Sequence, residues 1–211
     1  MDWILLQDVV NGLSAGLCYA LLAIGFTLIF GVLDAVNFAH GEIYMLGAFA
    51  GLMIALAFSP PLIVLVLIVG AIGAMLGIGL ERVAFRPLRR SRDEAALKSR
   101  ALREATLLSS LAVGIVVREL AEIAFGGDMQ PIPDRLMIND PIPWGQIVFA
   151  RGDFIIFGAA CVMLAALQVF LHHTRVGLGI RAVSNDLVGA LYSGVNADRV
   201  IVWTFAIGSS F

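Results

Sequence analysis

Asp34, Asn37, His40 and Glu42 stand close together between two apolar runs, in the segment Ile-Phe-Gly-Val-Leu-Asp-Ala-Val-Asn-Phe-Ala-His-Gly-Glu at residues 29–42. An imidazole, a carboxamide and two carboxylates at this spacing can hold a small polar molecule or cap a helix. Gly41 allows a sharp backbone turn. The next apolar run follows at once, so the free N–H groups and positive dipole end of its helix face the turn. A carboxylate is favoured there, whether that of Glu42 or that of a ligand. An ordinary polar loop with a helix cap accounts for the same residues.

A second polar segment runs from Arg175 through Arg181, Asp186, Ala190, Gly194 and Asn196 to Arg199. Ser184 or Asn185 is placed to cap a short helix over residues 186–192, and Gly194 to end it. A short exposed helix between two apolar runs suits contact with a soluble partner, though a plain connection is the simpler alternative. A third group, Arg118, Glu119 and Glu122, sits inside an apolar run. Charges there are costly and point to function by default. Arg118 and Glu122 are four apart and can pair on one helix face, snorkelling toward the surface. His172 and His173 close another apolar run without a third metal ligand nearby, and no metal or cofactor is expected.

Other chemistry is excluded by pattern. Lys98 is the only lysine, and Arg92 and Leu97 stand where a phosphate-binding loop would need glycine. Any ATP hydrolysis therefore belongs to another chain, and the chain is not read as an enzyme. A protease pairing His40 with a serine such as Ser14 has nothing in the sequence to position it. Cys18 and Cys161 both lie in apolar runs and read as small core residues.

The elements that must position these groups are membrane helices. Of the 211 residues, 60% are hydrophobic and 14% charged, with mean hydropathy +0.93. That excludes a disordered chain, and a net charge of -2 gives no field for nucleic acid. A span needs about 20 mostly apolar residues. Residues 9–31, 43–58, 62–80, 106–125 and 154–171 qualify as five, and residues 200–211 begin a sixth. The fold expected is all-α, a polytopic transmembrane bundle of about five full spans plus a partial sixth, in a single domain over 1–211. Gly12/Gly16, Gly47/Gly51 and Gly73/Gly77 are Gly-x-x-x-Gly pairs that let helix backbones approach closely.

Orientation follows from charge. Residues 81–105 hold eight Arg and Lys, against two in residues 126–153. The positive-inside rule puts 81–105 and 172–199 in the cytoplasm, and 126–153 and the N-terminus outside. The Pro-rich outer segment 126–153 reads as irregular, with room for a short strand or hairpin. Residues 32–42 are either a short cytoplasmic link or a re-entrant turn.

Taken together, the segments resemble the membrane permeases of branched-chain amino acid ABC transporters. The likeness covers nearly the whole chain. It is carried by Asn37-Phe38-Ala39-His40-Gly41-Glu42, by Glu81-Arg82 with Phe85-Arg86-Pro87-Leu88-Arg89, and by Gly194-Val195-Asn196-Ala197-Asp198-Arg199-Val200-Ile201. The resemblance implies an inner-membrane importer subunit that pairs with a second homologous permease and two cytoplasmic ATPases. A periplasmic binding protein would deliver leucine, isoleucine or valine. It implies that Asn37, His40, Gly41 and Glu42 lie near the translocation path. It makes 172–199 the cytoplasmic coupling segment, with Arg181, Asp186, Ala190, Gly194 and Asn196 facing the ATPase. The coupling consensus has Glu-Ala-Ala and, after three residues, Gly; here Val188 and Gly189 depart from it, while Ala190 and Gly194 remain. Members of the family continue through further helices, so a C-terminally truncated form is expected. Urea or short-amide permeases, and a fragment that does not transport, are the alternatives.

Overall fold

The computed structural model describes residues 2–90, 100–127, 130, 132–133, 141–144 and 147–211. Arg92, Lys98 and the polar run at 137–140 lie outside these. Among the described residues the helices are α1 (Asp2–Leu33), α2 (His40–Phe58), α3 (Leu62–Leu80), α4 (Arg86–Arg90), α5 (Arg100–Phe125), α6 (Arg151–His173), α7 (Arg175–Asn185), α8 (Leu187–Tyr192) and α9 (Ala197–Gly208). A wide π turn over Glu81–Phe85 joins α3 to α4 without a break. Strands β1 (Pro141–Trp144) and β2 (Ile147–Ala150) form an antiparallel hairpin before α6, with Pro141 opposite Ala150.

The all-α bundle is as expected. Among the described residues four stretches are long and apolar enough to cross a membrane: Leu5–Leu33, His40–Phe58, Leu62–Arg89 and Arg151–His173. The expected span at 106–125 lies within α5, whose 26 residues reach about 39 Å. Its length is sufficient, but its charged side chains keep it out of the apolar set. The partial sixth span is α9, twelve residues long.

α9 is the centre of the packing. Phe205 is fully buried and meets Phe85 of the π turn at 5.0 Å between ring centroids. Its last turn is wedged between α1 and α3 where both carry glycine. A Cβ at Gly25 would collide with the Gly208 carbonyl, and one at Gly77 would lie 2.6 Å from the Phe205 carbonyl oxygen. Of the three Gly-x-x-x-Gly pairs, Gly73/Gly77 therefore makes the close approach. A Cβ at Gly12, Gly16 or Gly47 would meet nothing, and one at Gly51 would press on Val69.

Both cysteines are exposed rather than in the core. The reason is the solvent: the outside of a membrane bundle is as apolar as its interior, so an apolar run does not reveal which side chains face inward.

Candidate functional site

The link between α1 and α2 is re-entrant. After Leu33 the chain turns at Asp34, which takes a left-handed φ of 52°, and then climbs along α5. Asp34 pairs with Arg103 at 2.8 Å, the Phe38 N–H donates to Ser110 Oγ at 3.2 Å, and Ala39 lies against Gly114. From Arg103 to Gly114 is about 16 Å along the helix. His40 then opens α2 beside Gly25 and Phe26 of α1, its ring centroid 6.1 Å from that of Phe26. This is about two turns back from the end of α1.

Backbone at such depth must find partners within the protein. Asn37 supplies them: its Oδ1 accepts the Ala39 N–H at 3.1 Å, and its carbonyl accepts the His40 N–H at 3.3 Å. Asn37 and His40 are buried, while Glu42 is half-buried in the first turn of α2 with its side chain against Gly114. The amide nitrogen of Asn37 and Nδ1 of His40 have no hydrogen-bond partner among the described residues. Gly41 does not make the turn. It lies inside α2 without positive φ, and a Cβ there would meet nothing.

Ser110 and Gly114 were not singled out from sequence, and with Thr106 they form the buried small and polar face of α5. The spacing Thr106, Ser110, Gly114 was the available signal. One face of small residues in a charged helix marks where backbone comes close.

The second segment forms two helices. α7 takes in Arg181, Ser184 and Asn185, so neither Ser184 nor Asn185 caps the following helix. Asp186 does, accepting the Val188 N–H through Oδ1 at 3.1 Å. Gly194, at φ 81°, ends α8 as expected. Its N–H donates to Leu191, and the Val195 N–H donates to Ala190 at 3.0 Å. This is the paired bonding of a glycine C-terminal cap. Ala190 is buried and ties α8 to the core; Val188, Tyr192 and Asp186 are exposed. Asn196 caps α9 through the Arg199 N–H at 3.0 Å.

The two segments do not share a site. A cleft of about 580 Å³ lies beside α8, lined by Arg86, Arg89, Arg103, Leu187, Asn196 and Asp198 among others. A second, of about 350 Å³, lies between α1, α6 and α7 and includes Arg181 and Ser184. Neither is lined by Asn37, His40, Gly41 or Glu42. Asn37 and His40 build the re-entrant turn with Gly41 and Glu42 following in α2, whereas Arg181 and Asn196 border the clefts at the arginine-rich end.

Charge stitches that end together. Arg89 of α4 pairs with the buried Glu81 carboxylate and lies 3.5 Å from Asp198 at the start of α9. His172 and His173 turn Nδ1 onto the Gln168 and Val169 carbonyls of the last turn of α6, at 2.9 and 3.3 Å.

Residues 9–211 match the family described as the permease component of branched-chain amino acid transport systems. The high-affinity branched-chain amino acid transport permease LivH of Salmonella typhimurium is 33% identical over 223 residues, covering 97% of this chain and 67% of its own. LivH of Escherichia coli is 32% identical with the same coverage. BraD of Pseudomonas aeruginosa, a permease of the same description, is 31% identical over 219 residues. No solved structure matches the chain. A polytopic helical bundle with this match over nearly its full length is a membrane permease, and the chain belongs to the branched-chain amino acid transport permease family.

Proposed function

We propose that the chain is a permease subunit of an ATP-driven importer and that, with a second related permease, it forms the path for leucine, isoleucine or valine. Two ATPase subunits bind on the cytoplasmic side, and a periplasmic binding protein delivers the amino acid. The chain lies in the bacterial inner membrane with its N-terminus outside and its arginine-rich end in the cytoplasm, the orientation favoured by the charge bias of its links.

The observation that carries this reading is α8. It is a separate six-residue helix, capped at both ends, with exposed residues outward and Ala190 inward. Such a helix is rigid enough to transmit a push. Asp186, Ala190 and Gly194 set its position, while Arg181 stands in the helix before it and Asn196 caps the helix after it. In this proposal Asn37, His40, Gly41 and Glu42 border the path, the first two in the re-entrant turn and the last two in the first turn of α2.

The test is uptake and ATP hydrolysis by the complete complex in proteoliposomes. Wild type is expected to take up leucine in proportion to ATP consumed. Gly194→Val and Asp186→Trp are expected to hydrolyse ATP with uptake lowered about tenfold or more, as for loss of a transmission step. Coupled uptake unchanged in both variants would overturn the role of α8. Uptake of urea in place of leucine would overturn the substrate.

A further inference from the structure

α5 is long enough to cross the membrane yet carries charge on a face that nothing among the described residues covers. Arg100, Glu104, Leu111, Arg118 and Glu122 recur at spacings of four and seven, so they share one stripe, and all are exposed. The opposite ends of the stripe differ. Arg100 and Glu104 pair at 2.8 Å. Arg118 and Glu122 have the same spacing but no ion pair, and neither side chain has a partner among the described residues. The expected pairing of Arg118 with Glu122 is therefore not made. Glu122 instead turns toward Gly127, its Oε1 3.2 Å from where a Cβ of that glycine would stand.

Arg118 lies about 11 Å from the Phe125 end of a helix about 39 Å long. A hydrocarbon layer about 30 Å thick centred on α5 would enclose it. An unpaired guanidinium facing lipid at that level is expensive, and such a group faces water or protein instead; Glu122, one turn nearer the end, stands at the edge of the layer. The adjoining side of α5, one turn back at Gly114 and two at Ser110, is already spent on α2 and the re-entrant turn.

We infer that the Arg118 and Glu122 face of α5 lines the aqueous path and receives the head group of the transported amino acid. This rests on the proposed import of branched-chain amino acids and names a contact within it. The chemistry is complementary. A free amino acid presents one carboxylate and one ammonium, and α5 presents one guanidinium and one carboxylate a helical turn apart, about 5–6 Å between Cβ atoms. The Arg118 fork suits a carboxylate, and Glu122 accepts from the ammonium. Leu111 and Ile115 are exposed deeper along α5 and offer apolar surface to a branched side chain.

The experiment uses the complete transporter in proteoliposomes, with Cys18→Ser and Cys161→Ser as background. Single cysteines at Arg118, Glu122 and Val116, the last on an exposed apolar part of α5, are exposed to a charged, membrane-impermeant thiol reagent. Cysteines at 118 and 122 are expected to react at least about tenfold faster than the one at 116, as water-facing thiolates do. Leucine uptake by Arg118→Gln is expected to fall about tenfold, with Arg118→Lys recovering only part of it, because the charge returns but the two-point fork does not. Equal labelling at all three positions, with Arg118→Gln transporting like wild type, would overturn the inference and put the face against lipid or a neighbouring subunit. A wild-type complex that takes up no leucine would overturn the functional reading and the amino-acid occupant with it, whichever way the labels fall.

Discussion

The carboxylate of Glu81, with none of its surface exposed, is held by the guanidinium of Arg89 eight residues further along one continuous helix. On an ideal α-helix that separation is about 12 Å along the axis. The π turn at Glu81–Phe85, where the Arg86 N–H reaches back to the Glu81 carbonyl, takes up extra residues per turn and shifts the phase of α4 relative to α3. It thereby brings Arg89 over Glu81 and within 3.5 Å of Asp198. The start of α9 is thus tied to the end of the third span.

Removing one partner of this pair leaves an uncompensated buried charge. Arg89→Ala is expected to destabilise the bundle by about 3–5 kcal/mol. Glu81→Leu combined with Arg89→Ala is expected to restore most of that, since no lone charge remains. Thermal unfolding of the three variants in detergent checks the order, and a double variant no better than Arg89→Ala would refute it.

The glycine contacts predict a contrast between two like motifs. Gly77→Val places side-chain atoms against the Phe205 carbonyl and the Ser209 side chain. Overpacking of this kind costs about 1–3 kcal/mol. Gly12→Val adds its atoms to open space and is expected to leave folding of the single chain unchanged. Yield and melting temperature of the two purified variants decide it.

The caps of α8 carry their own cost. Asp186→Ala loses the bond to the Val188 N–H, worth about 1 kcal/mol. Gly194→Ala forces a Cβ into left-handed backbone, worth about 1–2 kcal/mol. Both are expected to speed amide hydrogen exchange over residues 187–192 while exchange in α3 stays as in wild type. Uniform loss of protection would mean that α8 does not open independently.

The re-entrant turn depends on α5 for a hydrogen bond. Ser110→Ala leaves the Phe38 N–H unsatisfied at membrane depth, at a cost of about 1–3 kcal/mol. Ser110→Thr keeps the hydroxyl and is expected to retain more stability. A melting temperature for Ser110→Ala equal to wild type would show that the turn finds another acceptor.

Sequence by itself determined the fold class, the family and most helix positions. The reason is that a membrane imposes length and apolarity locally, on each run of about 20 residues. Caps that act within a few residues were legible in part. Gly194 was read correctly, while Asp186 was missed because Ser184 and Asn185 are equally good capping types nearby. Tertiary structure alone decided what depends on distant partners. It made residues 34–39 re-entrant, because Ser110 and Gly114 of α5 receive them, and it removed Gly41 from the turn. It chose Gly73/Gly77 over Gly12/Gly16, because α9 enters at one and not at the other. It placed Cys18 and Cys161 outside, left Arg118 and Glu122 apart, and joined Glu81 to Arg89 and Asp198. In lipid the inward and outward sides of a helix are alike in polarity, so hydrophobicity says that a helix spans but only its neighbours say which face is used.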